Sequence, residues 1–285
     1  MTGRVQDQFS LTNVALNKCR RVTKQCLVSL SYMMLTGALL AQLPAPNDLG
    51  VAMGHLHLLG RDLEAHHKFW TEALGGTPVT LGQLKMYKFP DVLVLVVKGE
   101  PKSGSVGTTV NHLGFKVKDL AAAVAKVKAS GFKVTSENPE THQAFALTPD
   151  NVRLELCEDK TMSVPIAHHH IHIFDASVAD TKAWYVKTFG AKPGRRGQFE
   201  AADLPGVNLS FSKSETPVVG TQGSAIDHIG FEVRGLEAFM KKLESDGVKI
   251  NLPYRNIPAL GISIAFLTDP WGTYIELTEG LDKVK

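Results

Sequence analysis

Six residues, spaced as two sets of three, could hold metal ions. His55, His112 and Glu155 recur 115, 116 and 121 residues later as His170, His228 and Glu276. Two neutral imidazoles and a carboxylate on one face of a divalent cation suit Fe(II), and also Mn(II), Zn(II) or Ni(II), and they leave positions open for substrate or water. Such ligation is catalytic rather than structural. Taken singly, each histidine reads better as a polar group at a strand end, satisfied by ordinary hydrogen bonds. The recurrence of all three is what points to metal.

The elements that must position these ligands repeat with them. GHLHLLGRDLEAHHKFWTEALGGTP (54–78) lies over HHIHIFDASVADTKAWYVKTFGAKP (169–193) at an offset of 115, matching His55 to His170, His57 to His172, Trp70 to Tyr185 and Pro78 to Pro193. NHLGFKVKDLAAAVAKVKASGFKV (111–134) lies over DHIGFEVRGLEAFMKKLESDGVKI (227–250) at an offset of 116, and LTPDNVRLEL (147–156) over LTDPWGTYIEL (267–277). Two domains follow, 51–160 and 165–280, divided near the polar stretch CEDKTMSVP. Within each domain there is a finer repeat. His55 and His112 both open an alternating strand, with Asp62 and Asp119 seven residues on to start a helix. Each module reads as a strand, an amphipathic helix such as LAAAVAKVKASG, and three strands such as KMYKFP and VLVLVV.

Side chains alternate faces along a strand, so His55 and His57 point one way, as do His170 and His172. In the run HHHIHIFD (168–175) the same rule puts His168, His170 and His172 on one face and His169 on the other. His170 is the expected ligand because it alone keeps register with His55. His168 and His169 read as additions at the strand entry, and Asp175 falls out of register for a ligand. If each domain closes around one cavity, it gathers its own set: His55, His112 and Glu155 in the first, His170, His228 and Glu276 in the second. His57 and His172 are then placed to move protons near neutral pH. Tyr274 shares the face of Glu276 and is a third candidate for that role, while Arg153, its counterpart beside Glu155, would hold an anionic substrate.

Charge and cysteine narrow the partners. Of the formal +3, residues 1–41 hold Arg4, Lys18, Arg20, Arg21 and Lys24 against Asp7 alone, so the remainder carries −1. A nucleic-acid or acidic-membrane partner is therefore not expected, and a small molecule taken by a monomer or homodimer is. The basic leader and the apolar run from Cys26 to Ala41 read as a signal peptide within residues 1–45, so export is expected, without stable membrane insertion after processing. Cys157 is the only thiol beyond the leader, which rules out an intramolecular disulfide in a processed chain.

The His with Asp seven residues on, the aromatic pairs Phe69-Trp70 and Trp184-Tyr185 with their following glycines, and DPWGTYIEL together resemble the vicinal oxygen chelate superfamily, the glyoxalase, bleomycin-resistance and dioxygenase group. The resemblance covers residues 51–280. It implies an α+β fold of paired βαβββ modules whose curved mixed sheets enclose a metal, with ligands from the first strand of each module and the last strand of the second. It also implies a substrate bound through adjacent oxygens.

Several chemistries remain open within that family. Glyoxalase I resembles a four-ligand version with a further acid, but DVLVLVVKG (91–99) and GVNLSFSK (206–213) offer no acid facing inward. Extradiol dioxygenases use the three-ligand set with Fe(II), but Phe266 stands where their tyrosine falls, and NIPALGIS (256–263) offers no histidine. A metal-free sequestering protein of the bleomycin-resistance type is the alternative to an enzyme, and fosfomycin-type thiol transfer also resembles the three-ligand site.

Overall fold

A computed structural model describes residues 43–284. The proposed leader, with Cys19 and Cys26, lies outside the described residues apart from its last few positions. The described chain forms four successive modules, each a strand, a helix and three further strands. The first contains β1 (Val51–Gly60), α1 (Leu63–Lys68), β2 (Thr77–Leu81), β3 (Leu84–Phe89) and β4 (Val92–Lys98). The second contains β5 (Val110–Val117), α2 (Leu120–Ala129), β6 (Val134–Asn138), β7 (Gln143–Leu147) and β8 (Arg153–Glu158). The third contains β9 (Ile166–Asp175), α3 (Val178–Phe189), β10 (Lys192–Arg196), β11 (Phe199–Leu204) and β12 (Val207–Lys213). The fourth contains β13 (Ile226–Val233), α4 (Leu236–Ser245), β14 (Ile250–Ile257), β15 (Ile262–Thr268) and β16 (Tyr274–Glu279). None of the described helices is long and apolar enough to cross a membrane.

Local chemistry accounts for the helix starts. The carboxylate of Asp62 accepts from the amides of Glu64 and Ala65, and that of Asp119 from Ala122, so both aspartates cap orphan helix donors. Gly131, at φ +86°, ends α2 in the left-handed conformation that glycine adopts without strain.

The modules combine into two mixed eight-stranded sheets, ordered β14-β15-β16-β13-β1-β4-β3-β2 and β10-β11-β12-β9-β5-β8-β7-β6. Module one thus shares a sheet with module four, and module two with module three. The join in each sheet is antiparallel, β1 with β13 and β5 with β9. The stretch 159–165, which reads as a break between domains, leads from β8 into a strand of the same sheet.

Modules adjacent in sequence instead share a hydrophobic core on the faces that carry the helices. Phe89 of module one and Phe115 of module two meet at 5.1 Å between ring centroids, with Trp70 packed against both. Phe189 of module three and Phe231 of module four meet at 5.0 Å, in contact with Tyr185 and Phe239. These aromatic groups are all buried. Such rings carry much of the apolar area removed from water, on the order of 1.5–3 kcal/mol for a fully buried large side chain. The sequence repeats follow the shared core, whereas the opposite, concave faces follow the sheets.

Two candidate metal centres in the sheet concavities

Each concave face gathers two histidines and a glutamate, grouped differently from the expectation. His55 on β1, His228 on β13 and Glu276 on β16 come together in one cup, and His112 on β5, His170 on β9 and Glu155 on β8 in the other. In the first, the Nε2 atoms of His55 and His228 each lie 2.9 Å from Glu276 Oε2. In the second, Nε2 of His112 lies 3.0 Å and Nε2 of His170 2.9 Å from Glu155 Oε2. The sets His55/His112/Glu155 and His170/His228/Glu276 are therefore corrected by exchanging His55 and His170. The cause is strand pairing, because the opening strand of each module joins its sheet partner from the other repeat.

Register sets one ligand histidine of each cup over a glycine. His55 stands opposite Gly230 and His170 opposite Gly114 in the antiparallel joins. A Cβ on Gly230 would lie 2.1 Å from the His55 ring, and one on Gly114 would lie 1.9 Å from the His170 ring. The missing side chains make the space for the imidazoles. The signal was present in HLGF and HIGF, where a glycine follows each partner histidine by two residues.

A β-bulge corrects the reading of the histidine run. In β9 the register slips between Gly114 and Phe115, so that Phe115 pairs with His168 and His169 is the extra residue. His168 therefore turns from the cup to the core, where its ring packs 5.5 Å from Phe115 and its Nδ1 donates to the Gly206 carbonyl at 3.2 Å. His169 approaches His170, Nδ1 to Nδ1 at 3.0 Å. In β1 the same slip falls at Gly54, between Met53 and His55.

His57 and His172 occupy the cups as expected. The rings of His57 and His228 stand 4.2 Å apart, and His172 Nδ1 is 3.3 Å from His112 Nε2. Ligand atoms of His55, His57, His228 and Glu276 all lie within 4.8 Å of one another, as do those of His112, His170 and His172. Burial, then neighbouring histidines, push His57 down to about 3 and His172 down to about 2. Burial thus favours the neutral form of both rings and holds them below the near-neutral range expected of a proton shuttle. Tyr274 stacks on Phe266 at 5.1 Å, edge-on to His228, and the Arg153 guanidinium lies 3.8 Å over the Phe145 ring.

Residues preceding two of the ligands were missed. His228 Nδ1 donates to the Asp227 carboxylate at 2.6 Å, while His112 Nδ1 donates to the Asn111 amide oxygen at 2.9 Å. Burial lowers both histidines. For His228 the carboxylates on its two nitrogens outweigh it and raise the group overall, whereas His112 stays lowered. Both glutamates stay well below the usual carboxylate range, because the histidine contacts outweigh the burial that opposes them.

The donor sets fit a divalent cation. Buried nitrogens of the cup histidines with no hydrogen-bond partner among the described residues include Nδ1 of His57 and Nε2 of His170. The last approaches Glu155 without the alignment a hydrogen bond needs, as a nitrogen sharing a cation with that carboxylate would. Leaving such groups unmet costs about 1–3 kcal/mol each, and metal ligation is one way to satisfy them. The hydrogen bond from each His Nδ1 to Asp227 or Asn111 is the outer support that fixes ligand orientation.

Comparison with known proteins agrees with this architecture. The family model described as "Glyoxalase/Bleomycin resistance protein/Dioxygenase superfamily" matches residues 52–156 and again 167–277. The chain belongs to that superfamily. A "Probable lactoylglutathione lyase" of Vibrio parahaemolyticus is 30% identical over 128 residues, covering 38% of this chain and 91% of that protein. Among solved structures, glyoxalase I from Zea mays superposes with a TM-score of 0.65 at 18% identity, covering 82% of this chain and 94% of that one. A "putative dioxygenase" from Bacillus subtilis superposes with a TM-score of 0.60 at 14% identity, covering 84% and 86%. At such identities these two likenesses concern the fold alone.

Proposed function

We propose that the protein is a metal-dependent enzyme that binds a small substrate through adjacent oxygens and catalyses a lyase or isomerase reaction. One observation carries this reading: in each cup a single glutamate oxygen is approached within 3.0 Å by histidine Nε2 atoms from two different strands. His55, His228 and Glu276 would hold one cation, and His112, His170 and Glu155 the other. A bound divalent cation, with Fe(II) favoured on the ligand set and Mn(II), Zn(II) or Ni(II) also suited, would supply Lewis acidity toward two substrate oxygens.

The chain's own residues supply the rest. His57, whose Nδ1 is unpartnered among the described residues, stands beside His228, where it could hydrogen-bond a substrate held there and orient it. His172 takes the same place in the second cup but is tied through Nε2 to Ser212 Oγ at 2.9 Å, which fixes its ring. The lactoylglutathione chemistry named for the Vibrio relative belongs to this reaction class.

A second reading, a dioxygenase, is favoured by the three-ligand set itself. The strands that would carry a fourth acid present Leu93, Leu95 and Val97, or Asn208, Ser210 and Ser212, beside the histidine strands. Elemental analysis of purified protein, followed by assays of lactoylglutathione turnover and of oxygen uptake on catechol, separates the readings. Metal near two equivalents per chain, turnover without oxygen uptake, and loss of both metal and turnover in Glu155→Gln and Glu276→Gln are expected. A metal-free protein that binds a planar ligand would overturn the enzyme reading. We also propose export through the leader, which fractionation and N-terminal sequencing of the mature chain would check.

A further inference from the structure

The two cups share a ligand plan and differ in nearly everything around it. Beside His55 and His57, β4 presents Leu93 and Leu95, and the wall continues through Met86, Leu84 and Leu81 into an apolar cluster with Ile262 and Leu260. The corresponding positions beside His170 and His172 are Asn208 and Ser210. Arg196 ends β10 where Leu81 ends β2. The Arg196 Nε donates to Ser210 Oγ at 2.7 Å, and its Nη2 lies 3.4 Å from His172 Nδ1 and 3.9 Å from Glu155 Oε2. On the facing wall Arg153 takes the place of Tyr274, its guanidinium over Phe145 and its Nη1 3.5 Å from Asn111 Oδ1.

Two guanidiniums therefore flank a site whose nearest carboxylate, Glu155, is already approached by two histidines. Arg196 is mostly buried, with a side-chain exposure of 16%. A partly desolvated cation with unused donors favours an oxyanion, and guanidinium geometry matches carboxylate and phosphate oxygens two at a time.

We infer that the cup of His112, His170 and Glu155 binds an anionic small molecule carrying a carboxylate or phosphate, gripped by Arg196 and Arg153, while the cup of His55, His228 and Glu276 takes a neutral, apolar one. One chain thus carries two sites that differ in ligand charge. The inference rests on the proposed function in placing the anion beside the metal ligands, and on the arginines alone for its charge.

Calorimetric titration of the full chain with acetate, with inorganic phosphate and with neutral catechol tests it, with metal content measured on every sample. Acetate or phosphate should bind at one site per chain, and catechol should bind undiminished in Arg196→Ala. Arg196→Ala should weaken that binding roughly 10- to 100-fold, the range expected for a charge-assisted contact, Arg196→Lys should restore part of it, and Leu81→Ala should leave it unchanged. Preference for acetate would identify a carboxylate ligand, and preference for phosphate a phosphorylated one. Anion binding that ignores Arg196, or falls equally with Leu81→Ala, overturns the inference whether or not metal is present. Arginine-dependent binding of phosphate to a chain that holds no metal upholds the anion site while removing the proposed enzyme.

Discussion

Gly230 stands directly across the antiparallel register from His55, and the ring occupies the space a side chain would fill. An alanine methyl would come 2.1 Å from the imidazole, far inside the ordinary contact distance, so the ring must leave its place beside Glu276. Gly230→Ala is therefore expected to lower bound metal by one equivalent with the far-UV circular dichroism unchanged, and Gly114→Ala to do the same at the other cup. Retention of both equivalents in either variant would contradict the cradle.

Much of this site is legible in the sequence. The offset repeat identifies the six ligand candidates, and strand alternation brings His57 and His172 into the cups beside them. The pairing of modules is not legible, because His55 and His170 are equivalent under the repeat and either could stand opposite Gly230. Strand partners depend on which edges meet in three dimensions, and the local pattern of a strand does not encode that. The facing of His168 was lost for a related reason, since strict alternation holds only until a bulge inserts one residue. Arg196 is not legible either, because it closes a short strand of polar, basic composition, with nothing in the local pattern to mark it as facing a cavity.

Asp227 and Asn111 offer a direct test of outer-shell support. A carboxylate on the far ring nitrogen raises ligand basicity more than an amide does, and such partners typically change metal affinity by about 10- to 100-fold. Asn111→Asp should tighten metal at the His112 cup by a factor in that range, measured by chelator competition. Asp227→Asn should loosen the other, although Asp227 also accepts from the Gly223 amide at 2.7 Å and that turn will feel the change. Equal affinities in all three proteins would exclude the support.

Glu232 predicts a pH dependence of stability away from both cups. Burial raises its carboxyl from 4.5 to about 7, although Thr278 and the Gly280 amide bond to it and pull the other way. In the unfolded chain the group ionises near its ordinary value, so between those two pH values the folded state holds the extra proton. Its contribution is greatest below the unfolded value and is lost as pH rises through the folded one. The loss by pH 8 is on the order of 3 kcal/mol. Glu232→Gln, which keeps an acceptor but cannot ionise, should flatten that component. Its unfolding midpoint relative to wild type should rise from pH 5.5 to pH 8, and a constant difference would refute the assignment.

Tyr185 and Asp269 hold the turn that feeds β16 and hence Glu276. The buried Tyr185 hydroxyl donates to Asp269 Oδ2 at 2.9 Å, while Oδ1 accepts from the amides of Trp271 and Thr273. The first repeat solves the same turn differently: Trp70 stands at the tyrosine position, and Asp150 is held instead by His66 at 2.9 Å and Arg61 at 2.7 Å. Tyr185→Phe leaves Asp269 Oδ2 buried without its donor, at a cost of about 1–3 kcal/mol, or roughly 2–12 °C in midpoint for a chain of this size. Asp269→Asn changes the same contact from its other end. If the two groups act through that one hydrogen bond, the double variant should lose less stability than the two single losses combined. Additive losses in thermal unfolding would mean that Tyr185 stabilises the fold through its ring alone.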